Sequence, residues 1–323
     1  MPVIFGKATG KVILFGEHAV IYGQPAIAIP VTRVNATARV LPNLTADTPT
    51  VHIQAAEICV DADLSDLPSD HPLAAAVRLI LKEIAPQPIP SITLQLSSTI
   101  PVAAGMGSSA AVTVAIIRAL SAFFGKPLSS AEVSDLAYEV EKIHHGTPSG
   151  IDNNVIAHQK PVYFVREKPI QFLTIFTPTH WVIADSGEKT PTRETVAAVK
   201  QSHMQDPAYY NQIFDQIGAI TQEARYALPV GDLSTLGILM NENQRLLKGL
   251  GVSSPKLEHL ITAALEGGAV GAKLSGGGRG GNVIALATPG TVETIERALR
   301  NAGAVKTITT VLPKTEDNEC LKI

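Results

Sequence analysis

The chain has 323 residues, and its 26 Lys and Arg against 29 Asp and Glu give a formal net charge of −3. Hydrophobic residues make up 45% and charged residues 17%, which is typical of a globular protein rather than a disordered one. The near-neutral charge, with no run of Lys and Arg, excludes nucleic acid and an anionic membrane surface as expected partners. At this length we expect two domains or two tightly joined lobes.

The core is predicted to be aliphatic, because only 5% of the residues are aromatic. Neither cysteine, Cys59 or Cys320, belongs to a C-x-x-C or Cys/His pattern, so both are interpreted as reduced thiols. The N-terminal residues lack a basic segment followed by an apolar stretch, so no signal peptide is expected. The most apolar helix candidate, residues 110–124, is too short to cross a bilayer. We therefore expect a cytoplasmic protein.

Predicted strands and helices alternate along the first half of the chain. Apolar runs or period-two alternation predict strands, and these cover residues 12–15, 34–40 and 92–96. Apolar residues at helical spacing predict helices, and these cover residues 73–84 and 109–124. Ser129 and Glu132 form a predicted capping box that opens a further helix. The acidic stretch with Asp61, Asp63, Asp66 and Asp70 is predicted to be a solvated loop.

The second half repeats this organisation. The patterns predict strands at residues 181–184 and 283–287 and helices near 211–228, 233–248, 255–266 and from 291 onward. The expected lobes are residues 1–167, with the segments described below, and residues 168–323, with a glycine-rich loop. Together the elements predict an α+β protein with mixed sheets and helices packed against them.

The segment from Pro101 to Ala111 carries the most chemical information. It follows a predicted strand and leads directly into a helix through Gly105, Gly107, Ser108 and Ser109. Glycines allow close approach of the backbone to a ligand, and the start of a helix offers unpaired N–H groups to an anion. A Gly-Ser turn with a serine N-cap is the alternative interpretation. The segment is not a Walker A loop, because no Gly-Lys-Ser/Thr follows.

Two further segments place carboxylates near sharp turns. A predicted strand ends just before Glu17 and His18, although surface Glu-His pairs are common. Glu141 lies at the edge of an apolar helix stripe, where burying a carboxylate requires a cation or hydrogen-bond donors. Asp152 follows a Pro-Ser-Gly loop that can direct a side chain into a site. The alternative makes Glu141 a residue of the stripe edge and Asp152 an N-cap.

These segments, in this order and spacing, resemble the three signature motifs of the GHMP kinases over nearly the whole chain. The run Lys-Val-Ile-Leu-Phe-Gly-Glu-His-Ala-Val, which begins at Lys11, is most similar to the mevalonate kinases of that family. The third motif departs from the family pattern, because Arg279 replaces a glycine and Asn282 a cysteine. A guanidinium there can contact phosphate or point outward, and the sequence leaves both open.

The resemblance implies a two-lobe GHMP-kinase-like fold with an active-site cleft between the lobes, and ATP and Mg²⁺ as cofactors. It implies that Lys11 and Asp152 are catalytic and that Ser109 and Glu141 bind magnesium. Glu17, His18 and Thr192 are implied as substrate-binding residues. The implied nucleotide-binding residues are Pro101, Ala103, Ala104, Gly105, Met106, Gly107, Ser108, Ser109 and Ala110.

The expected reaction is ATP-dependent phosphorylation of the 5-hydroxyl of mevalonate, a small-molecule substrate. The alternatives are a related enzyme acting on phosphomevalonate or on the 3-hydroxyl of mevalonate, and a non-catalytic metabolite sensor. Retention of the four implied catalytic and metal-binding residues argues against a sensor. The sequence leaves a homodimer open, and it leaves open whether Asp152 accepts the proton or orients the hydroxyl.

Overall fold

A computed structural model describes residues 4–43, 49–101, 105–145 and 148–316, apart from the side chains of His144 and His145. Ala103, Ala104 and Cys320 lie outside the described residues. The chain forms two compact units. Unit 1 comprises Met1–Lys11, Val34–Pro101 and Gly107–Gln159, and unit 2 comprises Val12–Arg33, Val102–Met106 and Lys160–Ile323. The expected division after residue 167 stays a prediction.

The elements of the first half include two long strands in which the chain passes from one unit to the other. The strands are β1 (Ile4–Phe15), β2 (Ala26–Pro42), β3 (Val51–Ala55), β4 (Val60–Asp63) and β5 (Ile92–Ser98). The helices are α1 (Pro72–Ile84), α2 (Ser108–Phe123), α3 (Ser130–His145) and α4 (Ile151–His158). The strands and helices predicted from apolar spacing in this half are confirmed.

In unit 1 the first sheet has the strand order β4-β3-β5-β2, and β1 also pairs with β2. The sheet continues beyond β2 through the strands Val162–Phe164 and Gln171–Phe172. Strands β3 and β5 are parallel, whereas β2 and β5 are antiparallel with Ala38 opposite Leu96. Every second residue of this part of β2 is buried, as the period-two pattern predicts for a strand with one face in the core. These buried residues are Val34, Ala36, Ala38 and Val40.

The helices of unit 1 pack against one another, with α3 in contact with α1, α2 and α4. The predicted capping box is confirmed at the start of α3. The backbone N–H of Ser129 donates to Oε2 of Glu132 at 2.8 Å, and the N–H of Glu132 donates to Oγ of Ser129 at 3.3 Å. These two bonds satisfy donors that the first turn of a helix leaves unpaired, so the direction in which α3 begins is set locally.

The expected solvated loop at Asp61 and Asp63 is wrong for these two residues. Both lie in β4, which pairs with β3 so that Asp63 is opposite His52. The imidazole of His52 contacts both carboxylates, at 2.6 Å to Asp63 and 2.8 Å to Asp61. A charged side chain is compatible with an exposed strand when a cross-strand partner of opposite charge faces it.

The later elements of the chain lie in unit 2. The strands are β6 (Val162–Phe164), β7 (Gln171–Phe172), β8 (Thr179–Asp185), β9 (Gly271–Ser275), β10 (Asn282–Ala287) and β11 (Lys306–Leu312). The helices are α5 (Thr192–Gln205), α6 (Pro207–Val230), α7 (Leu233–Gly249), α8 (Pro255–Glu266) and α9 (Val292–Asn301). A single 3-10 turn, Ala19–Tyr22, also belongs to this unit.

An antiparallel sheet with the order β11-β8-β10-β9 forms the centre of unit 2. Helices α7 and α8 contact β9, α9 contacts β8, and α6 packs on α7. The predicted helices near 211–228, 233–248, 255–266 and from 291 are confirmed. Helix α5 was not predicted, because its buried residues are few (Thr195 and Val199), which leaves little periodic signal.

The core is mainly aliphatic, as the composition predicts, and Trp181, Phe15 and Phe214 are among its fully buried aromatic side chains. Across the described ranges, we find no helix with both the length and the apolarity to cross a membrane.

Candidate active site

A buried lysine and a carboxylate from distant parts of the sequence form an ion pair in unit 1. Nζ of Lys11, on β1, lies 2.9 Å from Oδ1 of Asp152, in the first turn of α4. The lysine side chain is only 6% exposed and that of Asp152 is 28% exposed. The N-cap of α4 is Gly150, so the alternative interpretation of Asp152 as an N-cap is wrong. The carboxylate is instead directed toward a lysine and remains partly open to solvent.

The start of α2 packs directly against this pair. Gly107 is the N-cap of α2 with φ of 69°, in the left-handed region that favours glycine. A Cβ atom at Gly107 would lie 3.1 Å from Cγ of Lys11 and 3.3 Å from Oδ2 of Asp152. Within the described residues no side chain caps α2, and Ser109 in its first turn is exposed. Gly107, at the start of α2, thus lies against the Lys11–Asp152 pair, and the N-terminus of a helix is suited to an anion.

Glu141, on α3, adds a second carboxylate to this group. Glu141 is only 7% exposed to solvent. Burial first, and the negative charge of Asp152 second, raise the pKa of Glu141 to about 8, whereas the charge of Lys11 lowers it. A buried carboxylate in this state is stabilised in its ionised form by any further cation that reaches it.

The other residues expected to bind nucleotide differ in exposure. Gly105 is exposed with φ of 71°, and a Cβ atom there would have no neighbour within 4 Å. Met106 and Ala110 are buried, so their side chains face the protein interior. Pro101 is half-buried and immediately precedes a range outside the described residues.

In unit 2, His18 and Thr192 both lie against Gly277. Nε2 of His18 is 2.9 Å from the carbonyl oxygen of Gly277, and a Cβ atom at Gly277 would lie 3.1 Å from Oγ1 of Thr192. A carbonyl oxygen only accepts hydrogen bonds, so Nε2 carries the hydrogen and Nδ1 has a free lone pair. Nδ1 is buried and has no hydrogen-bond partner within the described residues.

Burial lowers the pKa of His18, and the positive charge of Arg279 lowers it further, against the hydrogen bond to Gly277. The imidazole is therefore neutral at physiological pH. The backbone of His18 has a positive φ of 59° with ψ of −46°. Non-glycine residues are held in this region at an energetic cost, and such strain is concentrated at functional sites.

Glu17 forms an ion pair with Lys273 of β9, and both residues are almost completely buried. Lys273 had no predicted role, although a lysine within the otherwise small and apolar strand β9 was a visible signal. Glu17, His18 and Thr192 are thus brought together with the glycine-rich segment that follows β9.

The glycine-rich segment is closely packed rather than flexible. A Cβ atom at Gly278 would lie 2.2 Å from the carbonyl oxygen of Val252, and one at Gly280 would lie 2.6 Å from that of Glu188. Arg279 has φ of 56°, and its Nε donates to the carbonyl oxygen of Gly251 at 3.2 Å. Asn282 is buried in β10.

Unit 1 therefore combines a lysine–carboxylate pair, an uncapped helix start and a second carboxylate of raised pKa. These are the parts that phosphoryl transfer requires, since that reaction depends on positioning and on neutralising charge. Two family models match the chain, the N-terminal domain of GHMP kinases at residues 71–159 and the C-terminal domain of GHMP kinases at residues 224–305. The chain belongs to the GHMP kinases.

Relatives of this GHMP kinase match it over nearly their full length. A mevalonate kinase of Pyrococcus horikoshii is 35% identical over 95% of each chain. The crystal structure of L. major mevalonate kinase in complex with R-mevalonate is 26% identical, covers 98% of this chain and 97% of its own, and has a TM-score of 0.82. The Methanococcus jannaschii mevalonate kinase structure is 25% identical, covers 97% and 99%, and has a TM-score of 0.84.

Membership in this family makes the protein an ATP-dependent kinase that phosphorylates an alcohol on a small molecule. The α+β fold with mixed sheets, predicted from the sequence, agrees with that of the solved mevalonate kinases.

Proposed function

We propose that this GHMP kinase transfers the γ-phosphoryl group of ATP to the 5-hydroxyl of mevalonate, giving 5-phosphomevalonate and ADP. The observation that carries the reaction is the Lys11–Asp152 ion pair against Gly107, the N-cap of α2. The substrate follows from the relatives, which are mevalonate kinases, one of them solved with R-mevalonate.

In this proposal the phosphates of ATP bind the segment from Pro101 to Ala110, with the N–H groups at the start of α2 as donors. The 5-hydroxyl oxygen attacks the γ-phosphorus, the bond from that phosphorus to the bridging oxygen breaks, and ADP leaves with the electron pair. Asp152 accepts the hydroxyl proton. Lys11 holds the carboxylate at 2.9 Å and stabilises negative charge on the transferring group.

The residues present fit a magnesium ion. Glu141 supplies a buried carboxylate, whose pKa is raised to about 8 by burial first and by the charge of Asp152 second, and Ser109 is an exposed residue with a hydroxyl. One carboxylate and one hydroxyl suit Mg²⁺, which keeps several waters and binds substrate phosphates. Ser109 and Glu141 would hold the ion, which when bound neutralises charge on the phosphates.

In this proposal the alcohol binds near Glu17, His18 and Thr192. Nδ1 of His18 is a buried acceptor without a partner in the described residues, so it accepts a hydrogen bond from a hydroxyl of the substrate. An alcohol without a hydroxyl at that position leaves Nδ1 unpaired and binds more weakly, since an unsatisfied buried acceptor costs about 1–3 kcal/mol.

A coupled assay of ADP release tests the function. Mevalonate, phosphomevalonate, galactose and homoserine are compared at equal concentrations, and NMR of the product locates the phosphate. We expect turnover of mevalonate with the phosphate on the 5-oxygen. Faster turnover of phosphomevalonate, or phosphate on the 3-oxygen, points to a related enzyme, and no turnover of any alcohol points to a sensor. The Asp152→Asn variant, purified identically, controls for contaminating kinases.

A further inference from the structure

Lys273 and Glu17 form an ion pair in the interior of unit 2. Nζ of Lys273 contacts Oε1 of Glu17, and the two side chains are 0% and 1% exposed. The same ammonium group donates to the carbonyl oxygen of Leu274 at 2.6 Å. Burial lowers the pKa of Lys273, and the charge of Glu17 raises it. Isolated charges are costly in such a place, so each of these residues depends on the other.

Hydrogen bonds also join the residues around His18 to the segment that begins in β9. Oγ of Ser275 donates to the carbonyl oxygen of Ile13 at 2.8 Å. His18, next in the chain to Glu17, contacts the carbonyl oxygen of Gly277 at 2.9 Å. The ion pair thus fixes the residue immediately before His18, while Gly277 fixes its ring.

Lys273 is itself held from the other side by α7. Oε1 of Gln244 accepts a hydrogen bond from the backbone N–H of Leu274 at 2.9 Å, and Nε2 of Gln244 donates to Glu258 at 2.7 Å. The strand position of Lys273 is therefore determined independently of its ion pair. A rigid anchor of this kind can maintain the positive φ of His18, which a free chain would leave.

A buried ion pair is weak evidence of a contribution to stability, because apolar residues of similar volume often replace one at no cost. Its more specific effect is on geometry, because a charged partner fixes the direction of a side chain that would otherwise have several rotamers. Within the described residues, the ammonium group of Lys273 contacts the carboxylate of Glu17 and the adjacent carbonyl oxygen, so its charge acts on Glu17.

We propose that Lys273 is a positioning residue for the alcohol substrate: its ion pair with Glu17 holds the backbone at His18 so that Nδ1 of the imidazole faces the substrate. Glu17 acts through Lys273 rather than by contacting the alcohol. This inference rests on the proposed function, because it takes His18 as the substrate contact.

A double-mutant cycle tests the proposal with three variants, Lys273→Met, Glu17→Gln and the two combined. For each variant, KM for the alcohol, KM for ATP, kcat and the melting temperature are measured. The control is Arg300→Met, which breaks the more exposed Arg300–Glu296 pair at 3.0 Å in the same unit. All variants are assayed with the alcohol on which the wild type is most active. If mevalonate is not the substrate, the wild type already shows this, and the comparison of the variants is unaffected.

Each single variant is expected to raise KM for the alcohol by about tenfold with KM for ATP within about twofold, a loss of binding rather than of chemistry. The double variant is expected to be no worse than the poorer single variant, because two residues that act as one unit are not additive. The double variant also contains no unpaired buried charge. If Lys273→Met fails to fold, the KM of the double variant for the alcohol therefore tests the proposal by itself.

Additive effects on KM would overturn the proposal, since they would mean that Glu17 contacts the alcohol independently of Lys273. An unchanged KM for the alcohol in the double variant, with only the melting temperature altered, would also overturn it and leave the pair as a structural feature. Arg300→Met is expected to leave both KM values at the level of the wild type.

Discussion

Nζ of Lys11 and Oδ1 of Asp152 lie 2.9 Å apart, and Gly107 packs against both side chains. The contact joins two segments that lie far apart in the sequence, and it places the glycine before α2 in contact with both. A Cβ atom at Gly107 would lie 3.1 Å from Cγ of Lys11 and 3.3 Å from Oδ2 of Asp152, so a larger residue there would require both side chains to shift slightly.

Asp152→Asn is expected to lower kcat by about 10²–10⁴-fold, the usual contribution of a general base. Asparagine keeps the size of the side chain but neither accepts the proton nor attracts Lys11. KM for ATP is expected to change little, because Asp152 is assigned to the hydroxyl side of the transferred group. Steady-state kinetics and a thermal melt of the same preparation give both results.

The control for Asp152 is Asp232→Ala, which removes a true N-cap. Oδ1 of Asp232 accepts from the backbone N–H of Thr235 at 3.1 Å at the start of α7. Losing such a cap costs about 1 kcal/mol of stability, so this variant is expected to melt earlier with unchanged kcat. If Asp152→Asn behaved in the same way, destabilised but active, its catalytic assignment would be wrong.

Glu141→Gln is expected to raise the magnesium concentration needed for half-maximal activity and to lower kcat. Glutamine retains an oxygen but loses the charge that favours a divalent cation. Glu139→Gln is the matched control, because Glu139 is an exposed carboxylate of the same helix that pairs with Lys142 at 2.6 Å. A magnesium titration that was identical for both variants and the wild type would return Glu141 to a structural role.

Glu141→Gln is also expected to stabilise the protein in a pH-dependent way when metal and nucleotide are absent. The pKa of Glu141 rises from its usual 4.5 to about 8 in the folded protein, so the folded state binds the proton more tightly. The contribution of the Glu141 carboxyl group to folding stability is therefore fully present below pH 4.5 and is lost as the pH rises toward 8. Glu141→Gln is therefore expected to melt at the wild-type temperature near pH 4.5 and above it at pH 8. A difference independent of pH would contradict this.

Tyr22→Ala is expected to raise KM for the alcohol several-fold and to leave KM for ATP unchanged. The ring of Tyr22 stacks on Phe214 of α6 with centroids 4.0 Å apart, and His203 of α5 contacts it edge-on at 4.9 Å. Such aromatic pairs contribute about 0.5–1.5 kcal/mol beyond the area they bury. The contact holds the turn directly after His18, so its loss should loosen that residue.

Tyr22→Phe is the matched variant for this prediction, because it keeps the stacked ring and removes only the hydroxyl. It is expected to have wild-type kinetics. Tyr226→Ala, at a tyrosine 71% exposed on the same helix α6, controls for loss of an aromatic ring. Equal KM values for Tyr22→Ala and Tyr22→Phe would show that the stack does not position His18.

His52→Gln is expected to lower the melting temperature most in mildly acidic solution. Hydrogen bonds to Asp63 and then Asp61 raise the pKa of His52 above its usual 6.5. A raised pKa of a basic group gives stability that is fully present below pH 6.5 and is lost as the pH rises through the folded value. Thermal melts from acidic to alkaline pH should show that the difference in melting temperature between His52→Gln and the wild type becomes smaller. A constant gap would exclude titration of His52 as its cause.

Local features of the sequence determined the elements and the family. The capping box at Ser129 and Glu132, the alternation along β2 and the glycines before α2 each act over a few residues, so a one-dimensional pattern contains the information. The order and spacing of the three motifs were by themselves sufficient to indicate the GHMP kinases. Helix α5 and the strand containing Asp61 and Asp63 were not predicted, because few of their residues are buried and they leave no apolar period. Helix α4 and the strands β3, β6, β9 and β11 were not predicted either.

Only the tertiary structure decided which distant residues pair. Lys11 meets Asp152, and Glu17 meets Lys273, across long stretches of chain, and no local propensity or periodicity specifies such partners. The sequence likewise could not tell whether Glu141 lay at the edge of its helix stripe or in the interior. The pKa of its carboxyl group depends on burial and on the charges around it, and these exist only once the chain has folded.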